Sequence, residues 1–370
     1  MKELLSEKPF CNARGFQSFG VIFKFLIRNK QIMKISKKHL IILLIVTFFE
    51  ILIHWGIVFS SDSPMLLSTI DYFINGSGIR HERRMMSPLT IILATPVSLL
   101  IGKVNAFALI NSIFWVIAAL IMYKFSLRLL KNHTLSLYSS LIFTTSIPLL
   151  AFGAAVSTNM AGFLFFISII YITAFYENRN FRKTFFVSTL LATTILAREY
   201  MLVIAPLFLI LYTHFFQKSL KKTLTLLIFA MLIIIPIYIL LKVDVLYHIY
   251  HAEAGGVKGV NLYFSECYSL KFLFNSFLAS FLFLPIFSLF GFINENKKEN
   301  ILLYYSVIFS VLPIFLWPAF SNRFTFLLFP AMIPLGVYGM RTFFKKLEKK
   351  PIFSKFDYRI YEIFTLSTYI

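Results

Sequence analysis

Charged side chains are scarce in this chain of 370 residues: they make up 14% of it, whereas ordinary soluble domains carry about 25%. Cysteine is almost absent, with two residues, which excludes a disulfide-stabilised scaffold. The chain is instead 58% hydrophobic and 18% aromatic. This composition leaves too little polar surface to cover a soluble globule of this size. It therefore predicts an integral membrane protein.

Basic residues outnumber acidic ones by 36 to 16, giving a net charge of +20. In a soluble protein such an excess would suit nucleic-acid binding. In a membrane protein, however, Lys and Arg collect in cytoplasmic loops and fix the orientation. We therefore expect membrane lipids, and no nucleic acid, as partners of the basic segments.

Long apolar runs predict the membrane crossings, each of which needs about 20 residues to pass through about 30 Å of hydrocarbon. Ten stretches come close to that length: 40–59, 105–126, 134–153, 159–176, 184–198, 199–216, 223–241, 272–292, 301–317 and 324–340. An eleventh, 88–102, is short and contains Pro96, so we predict an interfacial helix there. The predicted fold is an all-α polytopic membrane protein with about ten transmembrane helices, plus interfacial helices in the first outer loop.

The positions of the basic residues predict the orientation. With both termini in the cytoplasm, most Lys and Arg residues fall in cytoplasmic loops, and counting 88–102 as a crossing would destroy that bias. We thus expect a multi-pass protein of the cell membrane. Its predicted parts are a basic cytoplasmic segment 1–39, a transmembrane domain 40–340 with outer loops 60–104 and 242–271, and a basic cytoplasmic tail 341–370.

Asp62 stands immediately outside the first predicted span. A carboxylate at the membrane surface can act as a general base while the lipid tail of its substrate stays in the bilayer. The same residue could instead cap a helix that starts near Ser63, with Pro64 in its first turn. Both roles remain open at this point.

Several short motifs occur in an informative order: Asp62, 71–76, 87–94, Gly102, 127–130, 155–161, 197–200 and 322–324. This order resembles the GT-C fold membrane glycosyltransferases, a superfamily that includes the protein O-mannosyltransferases and the aminoarabinose transferases. The resemblance covers residues 60–215, and 318–340 more loosely. In that superfamily an Asp follows the first span, a short helix ends in Gly, and an apolar helix lies along the membrane.

The resemblance implies a hexosyltransferase-like enzyme. It would move a sugar, with inversion, from a polyprenyl-phosphate donor to a protein, glycolipid or glycan acceptor at the outer face. Asp62 would be the general base, and no metal or other cofactor is expected. Where relatives have acidic residues, beside the first Asp and opening the fourth span, this chain has Ser63 and Asn159. Asn159 would then position the substrate rather than act as a base.

Arginines are the candidate phosphate contacts, because a guanidinium matches phosphate oxygens. The resemblance points to Arg198 and Arg323 at outer helix ends, although Arg198 could equally pair with Glu199 or lie at the lipid interface. In the first outer loop, Arg83 and its neighbours Arg80 and Arg84 could bind the phosphate, the acceptor or lipid headgroups. Glu82 could support Asp62 or pair with these arginines.

The outer loop 242–271 holds His248 and His251, whose spacing suits a metal on a helix but also an amphipathic surface. We assign no metal there. Residues 252–260 are rich in glycine, and we expect them to act as a substrate lid.

Glu50 and His54 stand one helical turn apart within the first predicted span. Ionisable residues at such a depth are functional candidates, so the principal alternative is a proton-coupled transporter or flippase that uses this pair. The pair could instead lock the first span to its neighbours. A purely structural membrane subunit is a third possibility, favoured by the two missing acidic residues.

Overall fold

The structure is a computed structural model that describes residues 36–58, 62–175, 181–198, 201, 219–244, 284–294 and 328–348. These residues belong to one unit, Ile35–Ile370, while the second unit, Met1–Lys34, lies outside the described part. The described residues are 84% helical and contain no strand. The class is therefore all-α, as the sequence predicts.

Twelve described helices follow one another along the chain. They are α1 (Lys37–Ile53), α2 (Asp62–Asn75), α3 (Glu82–Met85), α4 (Leu89–Ile101), α5 (Lys103–Leu130), α6 (His133–Thr144), α7 (Ile147–Phe152), α8 (Asn159–Phe175), α9 (Phe181–Ala197), α10 (Leu220–Leu240), α11 (Leu284–Asn294) and α12 (Phe329–Glu348).

Two of these helices, α5 and α10, are long and apolar enough to cross a membrane. They coincide with the predicted spans 105–126 and 223–241. Among the described residues, the shorter apolar helices are α4, with 13 residues, and parts of α8, α9 and α11; because the last three fall in predicted spans, length alone does not set α4 apart, and its interfacial position stays a prediction. The predicted span 301–317, and the span 199–216 apart from Met201, lie outside the described residues, so the full set of ten spans stays a prediction.

The predicted span 134–153 is two helices rather than one. Helix α6 ends at Thr144, and α7 starts at Ile147 with Pro148 in its first turn. Proline has no N–H with which to continue the hydrogen-bond ladder of α6. The Ser146 hydroxyl donates to Phe143 O over 2.7 Å, and Ser146 N donates to the same carbonyl over 3.2 Å, so the break keeps the last turn of α6 bonded.

Helix α1 is also shorter than its predicted span 40–59. It ends at Ile53, with His54 at its C-terminal cap. Gly56 follows with a φ of +70°, a conformation that costs glycine little and most other residues more. The chain therefore turns out of the helix six residues before the predicted end.

Contacts between side chains fix the directions of the helices. The His39 Nδ1 atom in α1 lies 3.1 Å from the Tyr123 hydroxyl in α5. At the opposite end of both helices, Trp55 Nε1 donates to Asn105 Oδ1 over 3.0 Å. The Tyr123 hydroxyl also lies 3.0 Å from His133 Nδ1 at the start of α6. Helices α1 and α6 are therefore both antiparallel to α5.

The bundle thus has two ends, which we name after residues on them. The His39 end holds His39, Tyr123 and His133, and the Asp62 end holds residues 54–58, 62–63, 102–105, 153–159 and Arg198. Because Arg198, just after α9, bonds residues at the start of α8, these two helices are antiparallel. Helix α10 ends at the Asp62 end, where the Lys242 carbonyl accepts from Arg80, between α2 and α3.

Large apolar side chains face outwards on helix α10. On α10, Leu220, Leu224, Ile228 and Leu232 recur every fourth residue, and each is at least half exposed. Polar hydroxyls are buried instead, among them Ser126, Ser136, Ser139, Ser140 and Thr144, all 0% exposed. This arrangement reverses the usual pattern of a soluble protein and favours lipid as the surroundings of the outer faces.

Helices α11 and α12 pack closely at glycines and run parallel. A Cβ atom on Gly339 would lie 1.9 Å from Phe287 O. Their direction follows from two contacts: a Cβ atom on Gly336 would lie 2.4 Å from the side chain of Leu284, the first residue of α11, while Phe290, later in α11, packs against Phe343, later in α12.

Candidate functional site

The segment 153–159, between α7 and α8, is the centre of the Asp62 end. Gly56 N donates to Ala154 O over 3.2 Å, and Val156 N donates to Ile57 O over 3.1 Å. These two bonds pair the segment with the turn that follows α1. The positive φ of Gly56 makes this close pairing of two irregular stretches accessible.

Helix α2, which starts at Asp62, is bound to the same segment. The Ser63 hydroxyl donates to Val156 O over 2.8 Å, and Ser63 itself is buried. Further along α2, both carboxylate oxygens of Asp71 accept from Lys103 Nζ, over 2.8 and 2.6 Å. Helix α2 is thus fixed to the start of α5 and to the residues that lead into α8.

The Asn111 side chain on α5 bonds two carbonyls of the segment 153–159. Its Nδ2 atom donates to Ala155 O over 2.7 Å and to Ser157 O over 2.9 Å. The side chain is completely buried, and both partners are acceptors, so the amide must present its nitrogen to them. Because the Ala155 and Ser157 carbonyls both accept from this one amide, Asn111 fixes the path of the chain into α8.

Arg198 binds the last two residues of the segment 153–159. Its guanidinium donates to Thr158 Oγ1 over 2.8 Å and to Asn159 Oδ1, and only 3% of the residue is exposed. The alternative of an arginine at the lipid interface is therefore wrong, and Glu199, the other predicted partner, lies outside the described residues. A cation at this depth is tolerated because neighbouring oxygens replace its hydration. The structure thus brings together two predicted site residues, Arg198 and Asn159.

Arg80, between α2 and α3, binds the end of α10. Its guanidinium donates to Leu241 O over 2.6 Å and to Lys242 O over 2.8 Å, so it satisfies carbonyls at a helix C-terminus. The Tyr238 hydroxyl also donates to Met86 O over 2.8 Å. The stretch between α2 and α4 is thereby attached to the end of α10 and to the residues that open the predicted loop 242–271.

Glu50 and His54 form a local pair at the end of α1. The His54 Nδ1 atom lies 3.6 Å from Glu50 Oε2 and donates to the Glu50 carbonyl over 3.0 Å. His54 is at the cap of the helix rather than within the span, where the sequence places it. The His54 imidazole therefore bonds a carbonyl at the C-terminal end of its own helix, α1.

Other predicted site residues are less fully described. The side chains of Asp62, Glu82 and Arg83 lie outside the described part, although their backbone places Asp62 at the start of α2 and the other two in α3. Arg323, His248, His251 and the predicted lid 252–260 also lie outside it. Within the described ranges, no three His, Cys, Asp or Glu residues come together as a metal site.

Sequence reasoning missed Asn111. A polar residue within a long apolar span was a signal for it, since such residues face protein or water rather than lipid. Its partners, however, stand 44 and 46 residues further along the chain. No periodicity within α5 could identify them.

Comparison of the chain with protein-family models, curated proteins and solved structures finds no match in any of the three. The resemblance to the GT-C glycosyltransferases therefore rests on the order of the sequence motifs alone.

Proposed function

We propose that this protein is a multi-pass glycosyltransferase of the cell membrane that takes a sugar from a polyprenyl-phosphate donor. One observation carries the proposal most directly: the segment 153–159 joins the start of α2 to Arg198. Ser63, next to the proposed base Asp62, bonds Val156, and Arg198 bonds Thr158 two residues further on. This connection supports a site that combines a carboxylate and a buried cation.

The distribution of charge supports an outer position for the Asp62 end. The described basic residues near the opposite helix ends are Lys37, Lys38, Lys124, Arg128, Lys131, Lys221, Lys222, Arg341, Lys345 and Lys346. Cytoplasmic ends of membrane helices carry such an excess. In the proposed topology, ten spans cross the membrane, both termini are cytoplasmic, and the site opens at the outer surface.

The proposed chemistry is a single inverting displacement. The Asp62 carboxylate accepts the proton of an acceptor hydroxyl, and the acceptor oxygen forms a bond with C1 of the sugar. The bond between C1 and the phosphate oxygen breaks, and polyprenyl phosphate leaves with the bonding electrons. Positive groups stabilise the charge that develops on that phosphate.

The two predicted arginines then have different roles. Arg198, already engaged by Thr158 and Asn159, positions the entrance of α8 and contributes positive potential. Asn159 accepts a hydrogen bond from Arg198, and this bond orients the Asn159 amide for contact with a sugar hydroxyl. Arg323 remains the proposed direct phosphate contact, and Glu82 and Arg83 remain proposed contacts to the substrates.

Replacement of Asp62 by Asn tests the proposal. Membranes containing the protein are supplied with a polyprenyl-phosphate-linked radioactive hexose, and transfer of label to any other molecule is measured. We expect Asp62→Asn to abolish transfer. The matched control is Asp71→Asn on the same helix, which loses a half-exposed ion pair to Lys103 and should keep most activity. Transfer by Asp62→Asn at the wild-type rate would refute the proposal.

A proton-coupled transporter or flippase is the second candidate, favoured by the close approach of Glu50 and His54. Glu50→Gln, assayed beside Asp62→Asn, separates the two functions. A transporter would lose function with Glu50→Gln and retain it with Asp62→Asn, whereas the proposed enzyme would show the opposite result. The bond from His54 to its own helix supports the enzyme, because it gives the imidazole a local structural role.

A further inference from the structure

The connection between α2 and α3 begins with the dipeptide Asn75-Gly76, and no other asparagine of the chain is followed by glycine. Asn75 is the last residue of α2, and Asn75, Gly76 and Ser77 are all exposed. Gly76 has a φ of +70°, and nothing lies within 4 Å of the place where its Cβ atom would stand. The dipeptide is therefore open to water, and no side chain on residue 76 hinders the approach of its nitrogen to the Asn75 amide.

The Asn75 side chain accepts hydrogen bonds from two donors of one residue. Ser77 N donates to Asn75 Oδ1 over 3.1 Å, and the Ser77 hydroxyl donates to the same oxygen over 2.6 Å. Because Ser77 N is a donor, the atom that it faces must be the amide oxygen. Both bonds draw electron density towards Oδ1 and make Cγ more electrophilic. They would also stabilise negative charge on Oδ1 after a nucleophile adds to Cγ, as the donors of an oxyanion hole do.

The nucleophile nearest along the chain is the backbone nitrogen of Gly76. It donates to Tyr72 O over 3.1 Å, in a bond that closes the end of α2. Attack on Cγ requires Asn75 to leave its helical geometry and this bond to break. Helix ends open at little cost in free energy, so the last residue of α2 reaches the reactive conformation more readily than an asparagine inside a helix.

The other asparagines whose side chains the structure describes lack this combination. Asn111 and Asn159 are buried and bonded to other parts of the chain. Asn132, at the N-terminal cap of α6, accepts from a backbone N–H of that helix. Asn105 is exposed, but it lies within α5, and its amide nitrogen donates to Ile101 O over 3.0 Å. Asn75 therefore serves as the reactive case and Asn105 as an exposed internal control.

We propose that Asn75 is a site of spontaneous deamidation through a cyclic imide. The Gly76 nitrogen forms a bond with Asn75 Cγ, the bond between Cγ and Nδ2 breaks, and the proton lost by the Gly76 nitrogen leaves with the ammonia. Water then opens the ring at either carbonyl and leaves aspartate or isoaspartate at position 75. The reactants are the chain and water, so the modification needs no enzyme and does not depend on the proposed function.

Isoaspartate at position 75 would disturb the connection that leads from α2 to the end of α10, because it routes the backbone through the side chain and adds a methylene group. Gly78 packs so closely on α2 that a Cβ atom there would lie 1.9 Å from Ser68 O, and Ile79 N donates to Ser68 Oγ over 2.8 Å. Arg80 follows directly and bonds the end of α10. We therefore expect the modified protein to unfold at a lower midpoint.

The test is incubation of the detergent-purified full chain at mildly alkaline pH, with digestion at intervals and mass spectrometry that separates aspartate from isoaspartate. We expect conversion of Asn75 at least about tenfold faster than that of Asn105, because the end of α2 needs only local opening. Equal rates at the two residues, or an Asn75 that stays intact, would overturn the proposal. A glycan on Asn75 in place of these products would assign the amide to glycosylation and overturn it as well.

Two variants test the role of the Ser77 hydroxyl. Ser77→Ala keeps the backbone donor and loses the hydroxyl, so it should slow the conversion of Asn75 about fivefold, the effect of one net hydrogen bond. The matched control is Ser68→Ala, which removes the bond to Ile79 N from the same connection and should not slow the reaction. An unchanged rate in Ser77→Ala, or an equal slowing in Ser68→Ala, would refute the activation of Asn75 by that hydroxyl.

Asn75→Gln tests the structural consequence. Its side chain is one carbon longer, so the five-membered imide cannot form. This variant should keep its unfolding midpoint during the incubation, whereas the midpoint of the wild type should fall as isoaspartate accumulates. An equal fall in both proteins would overturn the link between the modification and the packing of Gly78.

Discussion

Removal of the Asn111 amide should destabilise the protein more than any other single polar truncation on α5. The amide donates to Ala155 O and Ser157 O over 2.7 and 2.9 Å inside the bundle. In Asn111→Ala both carbonyls lose their donor, and each buried acceptor without a partner costs about 1 to 3 kcal/mol. Allowing for partial relaxation of the segment, we expect a loss of about 2 to 5 kcal/mol in the free energy of unfolding.

The assay is unfolding of the detergent-solubilised protein by SDS, followed through tryptophan fluorescence. Trp115 packs against Gly153 and so reports on the segment itself. The matched control is Asn105→Ala on the same helix: Asn105 bonds Trp55 and Ile101 O at the surface, and its loss should cost about 1 kcal/mol or less. If Asn111→Ala and Asn105→Ala unfold at the same SDS concentration, the two bonds of Asn111 are not a structural determinant.

Two further predictions use the same assay. Gly339→Ala would place a Cβ atom 1.9 Å from Phe287 O, so we expect the free energy of unfolding to fall by about 3 kcal/mol or more. The control is Gly336→Ala, whose Cβ atom would meet mainly the flexible Leu284 side chain and should therefore cost less. Equal losses in the two variants would contradict the close approach of the α11 and α12 backbones at Gly339. Burial, and then the charge of His133, lowers the pKa of His39. The contribution of neutral His39 to the free energy of unfolding should therefore be complete above pH 6.5 and should fall as the pH drops below that value. In His39→Asn the free energy of unfolding should decline less steeply with falling pH than in the wild type, and an equally steep decline would refute this explanation.

The long helices could be predicted from the sequence because composition alone specifies them. The apolar run 159–176 became α8, which begins at Asn159 as expected, and 105–126 lies within α5. The errors arose where local chemistry interrupts an apolar run. Gly56 ends the helical region after α1, and Pro148 divides the stretch 134–153. Both residues are visible in the sequence, but hydropathy gives them too little weight.

The candidate site was less predictable because its bonds join distant parts of the chain. The motif order placed Asn159 and Arg198 at the same end, but it did not predict that they bond each other. Nor did it predict that Ser63 bonds Val156, which stands 93 residues further along the chain. Motif order indicates which residues share an end of a bundle, whereas pairing depends on the directions of individual side chains.

The bonds of Ser63 and Asn159 show what a carboxylate at either position would change. A carboxylate at position 159 would form a buried ion pair with Arg198, whereas the Asn159 amide gives the guanidinium a neutral acceptor. Likewise, a carboxylate at position 63 would repel the Val156 carbonyl that the Ser63 hydroxyl now satisfies. Ser63 and Asn159 therefore hold the segment 153–159 without adding negative charge to it. In the proposed function, this favours an anionic substrate and leaves Asp62 as the acidic residue at the start of α2 that would accept the proton.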